Sequence, residues 1–396
     1  MEARDAYLDY AATTPVDERV VEAMLPYYTE VWGNPNSLYR RGREAYTALE
    51  AARERVVGAI GATHPNEVIF TAGGTEADNA ALIGITMRAR PDGGHLIVSA
   101  FEHHAVLEPA HFLEKSGYEV TYLAPRPEGY IDPEDLRNAL RDDTVLVSVM
   151  HGNNEIGTLQ PISELAGVAH ERGALFHTDA AQTLGKVPVN VADLGVDAAS
   201  FSGHKIYGPK GVGALYLKRG TPFAPMVRGG GQEFKKRSGT QNVAGVVGFA
   251  TALDLVLAEL PDEAARLASL RERIVSGVTS TIENTIESAT YPERLPNIAH
   301  MIIKGVEGEA MLLQLDAKGV AVSTGSACSS GSLEPSHVLL SIGCPPELAH
   351  GSVRVSVGRF TSTEDVEYFL EVFPPIVERL RVMSPLYAKM YGSATT

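Results

Sequence analysis

Two stretches of this chain place a carboxylate and an amine where a bound ligand could use both. In HTDAAQ, Asp179 closes an apolar run and Gln182 comes one helical turn later; in SGHKIYGPKG, Ser202, Gly203, His204 and Lys205 are consecutive. A lysine amine can condense with a carbonyl and then act as a base. Alone, the aspartate could be no more than its ion-pair partner. Three further segments change that reading. TAGGTEADN sets Gly74 and Thr75 at the mouth of a helical run, where backbone N–H groups, the positive end of the helix dipole and a hydroxyl make an anion site. FEHHAV holds His103 and His104, neighbours that point in different directions, so at most one faces a given ligand. HGNNEIG holds two amides, Asn153 and Asn154, which can orient a polar group.

Taken together, a phosphate cradle, an aspartate able to keep a heteroaromatic nitrogen protonated, a Schiff-base lysine and a stacking histidine are what pyridoxal 5′-phosphate requires. No metal-dependent scheme accounts for the set as well. TAGGTEADN matches neither GxxxxGK[ST] nor GxGxxG, so a nucleotide fold is not indicated.

One more segment carries chemistry. STGSACSSGS, at 323–332, holds Cys328, one of two cysteines in the chain, among serines and glycines. A structural thiol keeps bulkier apolar company, whereas a reactive one needs access. Cys328, His337, Cys344 and His350 show neither CxxC nor HxxxH spacing, so no metal site is expected. Cys344, beside Pro345 and Pro346, reads as a packing thiol.

The elements that must position these groups are legible as alternating strands and helices. The runs at 67–71, 95–99, 118–123, 144–150, 174–178, 197–202 and 212–218 are apolar and β-rich, and stretches such as TEADNAALIGITMRAR and ISELAGVAHER separate the earlier ones. This predicts an α/β fold with a mainly parallel, seven-stranded sheet covered on both faces. Ligands of such sheets sit at the carboxyl ends of the strands, where the residues above collect. At 396 residues the chain exceeds one ordinary core. A large domain is expected over 15–255, with residues 1–14 and 256–396 forming a smaller α+β domain that carries Cys328. The apolar run VAGVVGFATAL is too short to span a bilayer and is expected as a buried helix. A net charge of −15 opposes non-specific binding to nucleic acid or anionic membrane. Few cysteines and no apolar leader make the cytoplasm the expected location.

These motifs resemble the cysteine desulfurases of the class V aminotransferase family, of the nitrogenase and housekeeping iron–sulfur type. The similarity runs from YLDYAATTP through GNPNS, TAGGTEADN, FEHHAV, NNEIGT, HTDAAQ, SGHKIYGPKGVG, GGGQE, RSGT and STGSACSSGSLEPSHVL to SVRVSVGRFT at 352–361. It implies a fold-type I pyridoxal phosphate enzyme that takes sulfur from L-cysteine, leaving L-alanine and a persulfide on Cys328. Lys205 would carry the cofactor and act as base. Gly74, Thr75, Ser202, Gly203 and His204 would surround the phosphate, joined by Thr240 from the other subunit of a homodimer. Asp179 would pair with the ring nitrogen, Gln182 with the ring hydroxyl, and His104 would stack on the ring and assist proton transfer. Asn154 would address the substrate amine, and Arg354 with Asn34 the substrate carboxylate, for which a guanidinium fork is suited. A sulfur-acceptor protein such as an iron–sulfur scaffold is the expected partner. A selenocysteine lyase or an aminotransferase is the alternative within the family, and neither needs Cys328. An idle scaffold subunit is the alternative outside catalysis, and retention of Lys205 and Cys328 argues against it.

Overall fold

The computed structural model describes residues 5–324 and 334–391. Its twelve strands, in chain order, are β1 (Ala6–Tyr7), β2 (Val68–Thr71), β3 (His95–Ser99), β4 (Glu119–Leu123), β5 (Thr144–Ser148), β6 (Leu175–Asp179), β7 (Ala198–Ser202), β8 (Gly213–Leu217), β9 (Thr285–Glu287), β10 (Ile298–Ile303), β11 (Val320–Ala321) and β12 (Ser352–Ser356). Seven of them form one sheet in the order β2-β8-β7-β6-β5-β3-β4. Pairing from β4 across to β7 is parallel, and β8 runs antiparallel to both of its neighbours. Every residue of β2, β3, β5, β7 and β8 is buried, so these strands are mainly apolar throughout rather than alternating.

The topology fixes where a ligand can sit. From β3 the chain moves outward to β4, then returns over β3 to β5 and continues the opposite way through β6 and β7. The carboxyl ends of β3 and β5 therefore flank a switch point, and the loops leaving them diverge to open a crevice.

Of the buried clusters among the described residues, two bear on how the site is framed, and a third packs Ile69, Leu82, Leu96 and Leu215 at the large sheet. The first includes Phe101, Phe176, Phe201 and Phe249, and also Val338, Leu339 and Ala349. The second gathers Ala6, Leu8, Met301, Val355 and Phe373 around a three-stranded antiparallel sheet, β12-β10-β9, and the parallel pair β1-β11. One 39-residue helix, Val243–Thr281, serves both: Val246, Phe249 and Leu253 lie in the first cluster, Leu270, Ile274 and Val278 in the second. The helix is long and apolar enough to cross a membrane, but its apolar first half packs on the helices Arg40–Ile60 and Glu18–Met24. Each fully buried Leu or Phe there contributes about 1.5–3 kcal/mol, which accounts for its composition.

Candidate active site

A cavity of about 750 Å3 opens at the crevice. Its walls come from the ends of β6 and β7, the loops after β2, β3 and β5, the N-terminal stretch Asp9–Thr13, and β12 with its neighbour Ser323.

Lys205 follows β7 in a single tight turn, and its Nζ donates to the carbonyls of Ala11 (2.6 Å) and Ala12 (2.8 Å). The turn is unusual two residues later. Tyr207 has a left-handed backbone (φ 64°), which a bulky residue adopts only when its surroundings enforce it. Here the Thr14 hydroxyl accepts from its N–H (2.8 Å), its own hydroxyl accepts from Arg359 N–H (2.7 Å), and the Arg359 guanidinium lies over its ring. The lysine is thus carried on a braced turn.

Asp179 ends β6, buried, and accepts from the Ala181 N–H at 2.8 Å. Burial raises its pKa, while that N–H and the charge of Lys205 pull it back. Asp78, fully buried beneath it, is pushed well above the carboxylate range by burial and by Asp179. The Ser200 hydroxyl opposes the shift at Asp78, and the Ala181 N–H and the lysine charge oppose it at Asp179, where the upward push is the weaker of the two. Glu102, also fully buried, is pushed up to about 8, again chiefly by burial, and stands behind the same wall. A buried carboxylate that carries charge is stabilised by a cationic partner.

The anion end lies opposite. The helix Gly74–Ala89 points its first turn at the cavity, bringing Gly74 and Thr75 beside Ser202 and His204, and Lys210 joins the lining. His204 is held down to about 4 by burial and by Lys205, Lys210 and Lys186, the signature of a cationic neighbourhood. Gln182 donates through Nε2 to the Ala11 carbonyl (2.9 Å), while its Oε1 is buried with no partner among the described residues. Such an orphan costs free energy unless a ligand donor meets it. On the substrate side, Asn154 lines the cavity and Arg354 donates to the Asn154 carbonyl (2.8 Å) and to Asp9 (2.9 Å), with its buried Nε unpartnered. A carboxylate at that Nε would satisfy it.

Some expected residues are placed elsewhere. His103, not His104, lines the cavity. His103 caps the helix His104–Lys115, its Nδ1 accepting from the Ala105 N–H at 3.0 Å; this cap orients the ring toward the cavity and sends the next side chain away. Burial, Lys205 and His104 hold His103 down to about 4, so its ring is neutral with the proton on Nε2. His104 instead approaches the His337 ring, at 5.0 Å between centroids. Gly203 does not line the cavity either: a Cβ there would meet the Pro209 and Val212 carbonyls at 3.0 Å, so it is glycine for packing of the turn. Asn34 and Thr240 are exposed and contribute nothing to this chain's own cavity. Asn153 is fully buried and shapes its loop, accepting from the Glu155 and Ile156 N–H groups. Cys328 lies outside the described residues. Asp9, Asp78 and Lys210 also line the cavity and were not expected there, although Lys210 lies in the GPKG stretch that follows Lys205.

The two histidines can be told apart by mutation. His103→Asn keeps a cap acceptor and removes the imidazole; it is expected to lower kcat about a hundredfold, the scale of a lost acid–base group, with an almost unchanged Tm. His104→Ala should leave kcat near the parent value. The opposite ranking in steady-state rates would return the role to His104.

The described donor set fits pyridoxal 5′-phosphate: an anion cradle, a buried carboxylate at the end of β6, an unpaired carbonyl acceptor, and an amine among them. The comparisons agree. Residues 6–369 match the class-V aminotransferase family, and the chain belongs to that family. Among its relatives, a protein of Dictyoglomus turgidum named cysteine desulfurase IscS is 53% identical over 96% of this chain and 97% of its own length. One of the same name from Methanosarcina thermophila is 49% identical over 98% and 96%. A solved structure described as a NIFS-like protein superposes with TM-score 0.89 at 37% identity, covering 95% of this chain and all of that one. Another, described as SspA in complex with cysteine, gives 0.80 at 35% identity, over 90% of this chain and all of that one.

Proposed function

We propose that the protein is a pyridoxal phosphate-dependent cysteine desulfurase: L-cysteine and the enzyme thiol give L-alanine and an enzyme persulfide. The observation that carries this reading is the convergence of Lys205, Asp179, Arg354 and the Thr75–Ser202–His204 cradle on one cavity, in a chain half identical to proteins of that name. When bound, pyridoxal phosphate supplies an electron sink for negative charge at the substrate Cα. The chain supplies the rest. Thr75, Ser202 and His204 hold the phosphate end and Asp179 the ring nitrogen. Arg354 draws the substrate carboxylate to the floor formed by Asn154 and Asp9. Lys205 removes the Cα proton and returns it, and neutral His103, donor at Nε2, faces the same space. The Cys328 thiolate takes the sulfur as the substrate C–S bond breaks, so one S–S bond forms and alanine departs. The described residues on either side of the Cys328 segment support this. Ser323 is part of the cavity wall, while Ser336 donates to Glu155 (2.5 Å) and His337 to the Glu102 carbonyl (2.8 Å), next to Asn154 and His103 respectively.

We further propose a homodimer, a cytoplasmic location and a sulfur-acceptor protein as partner, with the chain divided at 15–255 as read above. Leu25, Tyr28, Trp32, Leu38, Tyr39 and Tyr46 are all more than half exposed on one N-terminal stretch, an apolar surface of the kind that marks subunit contact. Asn34 and Thr240 share that neighbourhood: Asn36 donates to Asn34 and to Gln241 (3.1 Å), next to Thr240. Their place outside their own cavity is explained if each serves the partner's.

The test is incubation with 35S-labelled L-cysteine. One equivalent of alanine and one of protein-bound sulfur are expected per site in the absence of reductant. Alanine without label on the protein favours the lyase reading; neither product overturns the proposal.

A further inference from the structure

The segment that carries Thr240 contains the most strained backbone of the described residues. Glu233, Phe234 and Lys235, none a glycine, are consecutively left-handed, with φ of 44°, 57° and 65°. Such a run persists only where surroundings over-determine it, and strain of this kind gathers at functional positions.

What enforces it is a buried ion pair reaching across the fold. Arg53, on the helix Arg40–Ile60, and Glu233 each expose 1% of their side chains, and the guanidinium meets the carboxylate through two bonds, at 2.7 and 2.9 Å. Arg53 also donates to the Val68 carbonyl (2.7 Å), and Glu233 accepts from the Phe70 N–H (2.9 Å). Together they satisfy outward backbone groups of β2, the edge of the large sheet, in place of another strand. The guanidinium is sandwiched between the rings of Phe70 and Phe234, at 4.7 and 4.9 Å. Farther along, Arg237 pairs with Glu76 (2.8 Å), Ser238 donates to the Gly230 carbonyl (2.7 Å) and Gly239 to Gln232 (3.1 Å). The segment is therefore rigid up to Gly239, and Thr240 projects from it exposed.

Capping an edge strand does not require three left-handed residues in a row, but the turn they make sets the path by which the chain runs on to Thr240. We propose that Arg53 and Glu233 are positioning residues for the phosphate end of the cofactor in the opposite subunit, locking the turn that sets where Thr240 projects. This rests on the dimeric reading above, with Thr240 shared across the interface.

The proposal makes a directional claim that a merely structural role does not. A loss at Arg53 must damage the partner's site, not its own. Heterodimers separated by two affinity tags test it, because Lys205→Ala silences one chosen site and the cofactor absorbance that depends on Lys205 reports only the other. In the first arrangement Arg53→Met lies on the subunit that keeps Lys205, opposite a Lys205→Ala subunit. The competent site then receives Thr240 from an intact clamp, and half-loading should need the parental cofactor concentration. In the second arrangement Arg53→Met and Lys205→Ala share one subunit opposite an unmodified one. The competent site now receives Thr240 from the loosened turn, and half-loading should need about tenfold more cofactor, the scale of one charge-assisted hydrogen bond. A defect only in the first arrangement, or in neither, overturns the proposal. Should Arg53→Met fail to fold, Arg53→Lys, which loses the planar fork, and Glu233→Gln are put through the same pair of arrangements with the same criteria. Thr240→Ala is the reference. If it acts in the second arrangement while the clamp variants do not, the clamp inference alone falls. If Thr240→Ala has no effect across the interface, the shared site itself is wrong and the inference falls with it.

Discussion

Replacing Lys205 with alanine should remove the visible absorbance of bound cofactor and lower alanine formation from L-cysteine by at least about a thousandfold, because one side chain is both the covalent holder and the base. The structure leaves no substitute. Lys210 also lines the cavity, but it belongs to the cationic neighbourhood around His204 at the phosphate end. Lys186, buried and held down to about 7 by burial and by Lys205, donates to the Lys205 carbonyl (3.0 Å) and so lies behind the residue it would have to replace. Lys205→Arg should fail equally, since a guanidinium stays protonated and forms no imine. The braced turn at Tyr207 is untouched by either change, so the fold and phosphate binding should survive, measurable as a near-parental Tm. Parental turnover by the alanine variant would sink the assignment of the base.

Sequence reasoning recovered the sheet because most of its strands are buried on both faces and so appear as largely apolar, β-rich runs, β4 at the edge being only partly buried; all seven start within a residue of the expected spans. It recovered Asp179, Ser202 and Lys205 because a strand's last residue and the turn after it are fixed by the end of such a run. It gave the ring-facing role to His104, whereas His103 is the one that lines the cavity. That choice is made by a cap bond from the Ala105 N–H, and two adjacent histidines at a helix start offer the same letters to either outcome. Gly203 was misread for a related reason: between two residues that face the cavity, it faces the carbonyls of Pro209 and Val212. The Arg53–Glu233 clamp was invisible because its partners are 180 residues apart and each, alone, is an ordinary charged residue in a polar stretch. Burial turns it into a device, and burial of a charge is the property least available from sequence.

The thiol assignment rests on sequence and flanking geometry, and two serine substitutions separate its alternatives. Cys328→Ser should bind cofactor and L-cysteine as the parent does, because the substitution alters none of the residues of the cradle, nor Asp179 or Arg354. Sulfur transfer should then stop, with alanine formation reduced at least about a thousandfold, the scale seen when an enzyme loses its nucleophile. A serine hydroxyl near neutral pH is a poor nucleophile without a dedicated base, whereas a thiol is already partly ionised. Cys344→Ser is the control. That thiol is half-buried against the main core, at 3.6 Å from the Pro345 carbonyl, and burial pushes its pKa up, away from the reactive thiolate. Its loss should cost about 1 kcal/mol of stability and little activity. Peptide mapping after one turnover with labelled cysteine reads the outcome directly. Label on the peptide containing Cys328 is expected in the parent and in Cys344→Ser, and none in Cys328→Ser. Full turnover by Cys328→Ser would mean that sulfur leaves the site without a protein carrier, and the cavity would then serve the lyase chemistry instead.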